Sequence, residues 1–124
     1  MKIKMLAAGL FLLFTLNSCK KNEVKSTITV NSPMQGMEYT SPVAVDIDFS
    51  NPSGPIHDIE IKIYPTASPS TLVFDYDNHV EVKTFSVNDQ FSANVTTVTP
   101  MTLSVKCGEG DLVVSKEVNF SVKP

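Results

Sequence analysis

No stretch of this chain has the length of a membrane-spanning helix: its apolar run, residues 5–16, falls well short of the roughly 20 residues that a bilayer demands. Its ten lysines are scattered against 13 acidic residues, for a net charge of −3. No basic run or aromatic-interleaved patch is present, which excludes a phosphate-backbone partner such as nucleic acid. There is no internal repeat, so a solenoid or tandem array is excluded. A glycine-flanked serine at a strand-to-helix turn, a paired-histidine metal helix and a glycine-rich phosphate loop are all missing, so the chain is not read as an enzyme and no cofactor is expected. Glycoside hydrolysis would need two carboxylates held across a cleft, and a domain this small has little but loops to build one. Tryptophan is absent and there are only three tyrosines, a thin supply of rings for stacking on sugars.

What is present begins at the amino terminus. Lys2 and Lys4 precede the apolar residues 5–16, and the run closes on Leu16-Asn17-Ser18-Cys19. That order of charged start, short apolar segment and small or polar residues before a cysteine resembles the signal peptide and lipobox of bacterial lipoproteins. The resemblance implies a leader over residues 1–18, cleavage before Cys19, and a lipid on the Cys19 thiol. The membrane is then a partner through that lipid, and the location is the cell envelope, with the outer membrane expected. Residues 19–25 read as lipidated cysteine and polar tether. In the lipoproteins that this amino terminus resembles, an acidic run after the cysteine often accompanies surface export; here Lys20 and Lys21 lead with only Glu23 behind them, so the choice between periplasmic and surface faces stays open. Without Lys2 and Lys4, eight lysines face the 13 acidic residues, a net charge near −5.

Residues 26–124 form one domain of short β-branched segments broken by proline, glycine, asparagine and serine, an all-β pattern. The first segment, 27–30, is followed by a loop through Met34, Gly36 and Met37. Val43, Val45, Ile47 and Phe49 then alternate with Ala44, Asp46, Asp48 and Ser50, as a half-buried strand requires. Ile59, Ile61 and Ile63 repeat the alternation. Leu72, Phe74 and Tyr76 carry a further segment that Asp77-Asn78 is expected to turn towards Val80 and Val82. Phe85 and Val87 lead to a polar break at 88–90, after which Phe91, Ala93 and Val95 alternate. Met101, Leu103, Val105 and Cys107 share a face, and Val118, Phe120 and Val122 follow a hairpin expected at Gly108-Glu109-Gly110. About seven antiparallel strands at this spacing predict a two-sheet sandwich, with Val45, Ile47, Ile61, Leu103, Val105 and Phe120 in its core.

Ile28-Thr29-Val30-Asn31-Ser32-Pro33, then Gly36, Tyr39 and Pro42-Val43, followed by a strand bearing Asp46, resemble the opening of bacterial immunoglobulin-like domains. The resemblance implies an immunoglobulin-like order of strands. Ile59, Ile61 and Ile63 occupy the strand where antibody domains carry a tryptophan, and Val45 and Ile47 stand where their first cysteine would lie. A fibronectin-type or generic bacterial branch therefore fits better than the antibody branch.

The groups able to carry chemistry are few. Cys107 shares an apolar face and has no partner once Cys19 is acylated, so it reads as a buried small hydrophobe. His57 and His79 sit beside turn-forming residues and read as exposed, with joint metal binding a remote alternative. Asp46/Asp48, Asp58/Glu60 and Asp75/Asp77 are each two residues apart, and in the immunoglobulin-like order the first two pairs face solvent on opposite sheets. Asp75 and Asp77, near Asn78 and Asp58, are the candidate metal ligands, although calcium wants six to eight oxygens and two carboxylates supply at most four. Met34, Met37, Tyr39, Tyr64 and Tyr76 are the candidate binding surface, unless the two methionines cap the core. The expected function is that of a lipid-anchored noncovalent protein-binding or structural module, with a calcium-assisted or carbohydrate-binding accessory module as the alternative.

Overall fold

A computed structural model describes residues 25–124; the expected leader, residues 1–18, and the expected lipidation site, Cys19, lie outside them. The fold is all-β: a two-sheet sandwich in the immunoglobulin-like order. The strands are β1 (Thr27–Ser32), β2 (Glu38–Thr40), β3 (Val43–Ser50), β4 (Ile56–Pro65), β5 (Phe74–Val82), β6 (Thr84–Phe91), β7 (Thr99–Gly108) and β8 (Val114–Lys123), with a 3-10 turn at Gly110–Leu112. One sheet has the order β1-β3-β6 and the other β2-β8-β7-β4-β5. All pairings are antiparallel except that of β2 with β8, which is parallel. The described residues thus form eight strands where about seven were expected, the short β2 being a three-residue segment with no periodicity of its own that finds a partner at the far end of the chain.

The alternating segments bury the faces that their period predicts. Val43, Val45, Ile47 and Phe49 point inward from β3, and Ile59, Ile61 and Ile63 from β4. Met101, Leu103, Val105 and Cys107 point inward from β7, and Val118, Phe120 and Val122 from β8. Phe91 of β6 meets Phe120 of β8 edge to face, with centroids 6.2 Å apart and rings at 67°, so aromatic contact links the two sheets as well as apolar burial. All six residues expected in the core are buried.

Three boundaries differ from expectation. Asp77-Asn78 makes no turn: β5 runs through it, with Asp77 opposite Glu60 and Asn78 opposite Ile59. The polar 88–90 segment is likewise inside β6, paired with Asp46, Val45 and Ala44 of β3. Leu72, Ala93 and Val95 lie outside strands, and Leu72 is exposed. In the first two cases pairing with a neighbouring strand overrides local propensity. The crossing between sheets falls at Lys83, whose carbonyl accepts from the Asn51 amide at 2.8 Å.

The expected hairpin joins β7 to β8. Gly108 has a φ of +114°, and a Cβ there would run into the Leu112 carbonyl oxygen. Gly108→Ala is therefore expected to cost about 1–3 kcal/mol through strained backbone and the clash. Thermal melting should show the loss, and an unchanged midpoint would contradict this account of the turn.

Candidate interaction surface

The topology gives the sandwich two dissimilar ends. At the near end the described chain enters at Lys25 and Ser26, close to the β3–β4 loop, the Lys83 crossing and the β7–β8 turn. Buried Asn51 organises it: its side chain donates to Ser26 Oγ at 3.4 Å, and its Oδ1 accepts from the Ser53 amide at 3.1 Å. At the far end lie the β1–β2 turn, the 66–73 and 92–98 loops and the carboxyl terminus.

The far-end turn Met34-Gln35-Gly36-Met37 is closed by the Met37 amide donating to the Met34 carbonyl at 3.2 Å. Gly36, its third residue, has a φ of +77°, the left-handed value that a type II turn requires. Hydrogen bonds fix the turn to β8. The Gly36 amide donates to the Asn119 carbonyl at 2.8 Å, the Ser121 amide to the Met37 carbonyl at 2.9 Å, and the Asn119 amide to Gln35 Oε1 at 2.9 Å. Asn119 is itself held, its Oδ1 accepting from Thr102 Oγ1 at 3.0 Å.

This framework leaves two side chains outside. Met34 is 55% and Met37 51% exposed, and neither joins the core, so they do not cap it. Exposed Val98 and Leu72 occupy the other two loops of the same end. Methionine is flexible and polarisable, suited to adapting to an apolar partner.

The three tyrosines do not join them. Tyr39 is half-buried: its ring packs edge-on against Phe120, with centroids 5.9 Å apart, and its hydroxyl accepts from the Met34 amide at 2.7 Å. Tyr76 is half-buried on β5: its ring packs partly against the core and its hydroxyl accepts from Asn78 Nδ2 at 3.1 Å. Tyr64 lies half-buried near the end of β4, opposite Thr102. The structure therefore builds no shared aromatic platform from them.

Among the described residues no group of three or more His, Cys, Asp or Glu side chains is placed to hold a metal ion. Asp75 lies opposite Lys62 and Asp77 opposite Glu60. Asp58 lines one shallow hollow with Asp77 and Asn78, as expected, and pairs there with His79. Asp46 and Asp48 belong to the other sheet, where Asp48 accepts from Ser86 Oγ at 2.6 Å and Asn31 Nδ2 at 2.9 Å. These hydrogen bonds, Ser86 foremost, hold the Asp48 carboxyl below its ordinary pKa. Cys107 is buried and free, and burial pushes its thiol pKa up against a smaller opposing effect of the Ser26 hydroxyl.

Sequence reasoning missed a cluster at the near end. His57 and His79 lie within strands rather than turns, and the irregular register between Ile56 and Asp58 brings their rings to 6.3 Å. His79 Nδ1 is 2.6 Å from Asp58 Oδ1 and its Nε2 is 3.4 Å from Glu81 Oε2, while His57 Nε2 is 4.0 Å from Glu109 Oε1. The only advance signal was the acidic company of each histidine, because cross-strand register decides who meets whom.

Hydrogen bonding to Asp58, then to Glu81, raises the His79 pKa above its ordinary 6.5. The proton-dependent stabilisation is fully present below the unfolded value and is lost as pH rises through the raised folded value. In an NMR titration the His79 midpoint should lie above 6.5, and Asp58→Asn should lower it. An identical midpoint in that variant would contradict the assignment.

No family model matches the chain, and no curated protein matches it. Among solved structures it is similar to the crystal structure of an engineered protein, at 12% identity and a TM-score of 0.48, over 81% of this chain and 20% of that one. The chain thus spans about a fifth of that protein's length.

Proposed function

We propose that this chain is a lipid-anchored protein of the bacterial cell envelope, held at the outer membrane through Cys19, whose immunoglobulin-like domain binds another envelope protein noncovalently with its far end. The observation that carries the binding surface is the turn at Met34–Met37, where two exposed apolar side chains project from a backbone fixed to β8. Pre-organisation of this kind lowers the ordering cost of binding. The lipobox resemblance supports the anchor, and the opposite placement of chain entry and turn supports the orientation. Protein is preferred to glycan because Tyr39 and Tyr76 are engaged in packing and hydrogen bonding.

Photo-crosslinking residues placed at 34 or 37 should capture one discrete protein species in the native envelope. A crosslinker at Ser115, on the near half of β8, should not capture it. Met34→Asp should abolish capture from position 37. No product from the turn, or the same product from Ser115, would overturn the reading.

A further inference from the structure

β5 is one outer strand of the five-stranded sheet, paired only with β4. Its nine residues, Phe74–Val82, make no backbone hydrogen bond to any other described segment. The other long strands each bury residues on their inward face, whereas no residue of β5 is buried. A three-stranded sheet cannot cover a five-stranded one, and β5 is the long strand left without cover. Phe74, Tyr76 and Val80 pack on the core from one side only, and Val82 is 43% exposed.

The opposite face of β5 is acidic. Asp75, Asp77 and Glu81 alternate along it, with Asp58 and Glu60 behind them on β4; Lys62 and His79 are the cationic groups of this patch, and Lys106 lies beyond Glu60 on β7. The strand itself contains neither proline nor lysine, the common devices against edge pairing. Its carboxylates oppose a second copy, because self-pairing would set acidic rows against each other. They favour a cationic strand instead, since opposite charges across strands attract and like charges repel.

We infer that β5 is an acceptor edge for an extended segment of a partner protein that alternates apolar with lysine or arginine residues, added as a sixth strand. Period two places the segment's apolar side chains beside Phe74, Tyr76, Val80 and Val82 and its cations beside Asp75, Asp77 and Glu81. The main chain supplies hydrogen bonds and the two rows supply selectivity. This surface is separate from the Met34–Met37 turn and stands whether or not that turn binds.

The test uses the full chain and two short capped peptides, one alternating lysine with valine and one glutamate with valine. The lysine peptide should bind about ten-fold tighter or better, the gain from replacing like-charge by opposite-charge cross-strand pairs. It should slow amide hydrogen exchange within Phe74–Val82, and salt should weaken it. The triple variant Asp75→Lys/Asp77→Lys/Glu81→Lys should reverse the preference, and Asp75→Asn/Asp77→Asn/Glu81→Gln should remove it, the neutral variant guarding against misfolding in the reversed one. Met34→Ser/Met37→Ser should leave binding unchanged. Equal affinity for both peptides, protection outside β5, absence of binding, or β5-mediated association of the chain with itself would each overturn the inference.

Discussion

Ile47→Ala is expected to lower stability by about 2–5 kcal/mol, a large share of the roughly 5–15 kcal/mol that holds a domain of this kind together. Ile47 is fully buried on β3, the middle strand of its sheet, with Val30 on one side and Val87 on the other. Both flanking strands restrain the backbone, so the space left by the side chain can collapse only partly. Ala44→Ser on the exposed face of the same strand should stay within about 0.5 kcal/mol. Urea denaturation followed by circular dichroism separates the two: the Ile47→Ala midpoint should fall sharply with little change in slope. Equal, small effects would mean that the Ile47 side chain is not packed between the two sheets.

The same strand shows why part of the fold was legible in the sequence. In β3, β4 and β7 the apolar residues recur with a period of two, and burial follows that period residue by residue. Gly108 similarly announces the last hairpin, because few other residues tolerate its backbone angle. The failures share a cause. Asp77-Asn78 and residues 88–90 have turn chemistry, yet both are held extended by partners in β4 and β3. β2 is too short to show a period and exists through its parallel contact with β8.

The site divides along the same line. The apolar Met34 and Met37 on either side of Gly36 were visible as a loop, and their exposure follows from that turn. The packing of Tyr39 was not legible, because Phe120, which takes its ring, is adjacent only after β2 meets β8. The acidic row of β5 was visible as paired carboxylates. Its meaning changed once the strand proved continuous and unpaired on one side.

Cys19→Ser is expected to abolish incorporation of a palmitate analogue. The loss should be nearly complete, because a serine offers no thiol to receive the diacylglycerol on which further acylation depends, and stable lipid anchoring takes more than one chain. The residues after Cys19, Lys20–Lys25, reach at most roughly 20 Å when extended, so the lipid would hold the near end by the bilayer and leave the Met34–Met37 turn pointing away from it. Folding should be indifferent to the change, since among the described residues Lys25 is exposed and the first side-chain hydrogen bond comes from Ser26, whose hydroxyl meets Asn51. The variant domain should therefore melt at the wild-type temperature while losing its label. Equal labelling of both proteins would remove the anchor, and with it the reason for the turn to face outward.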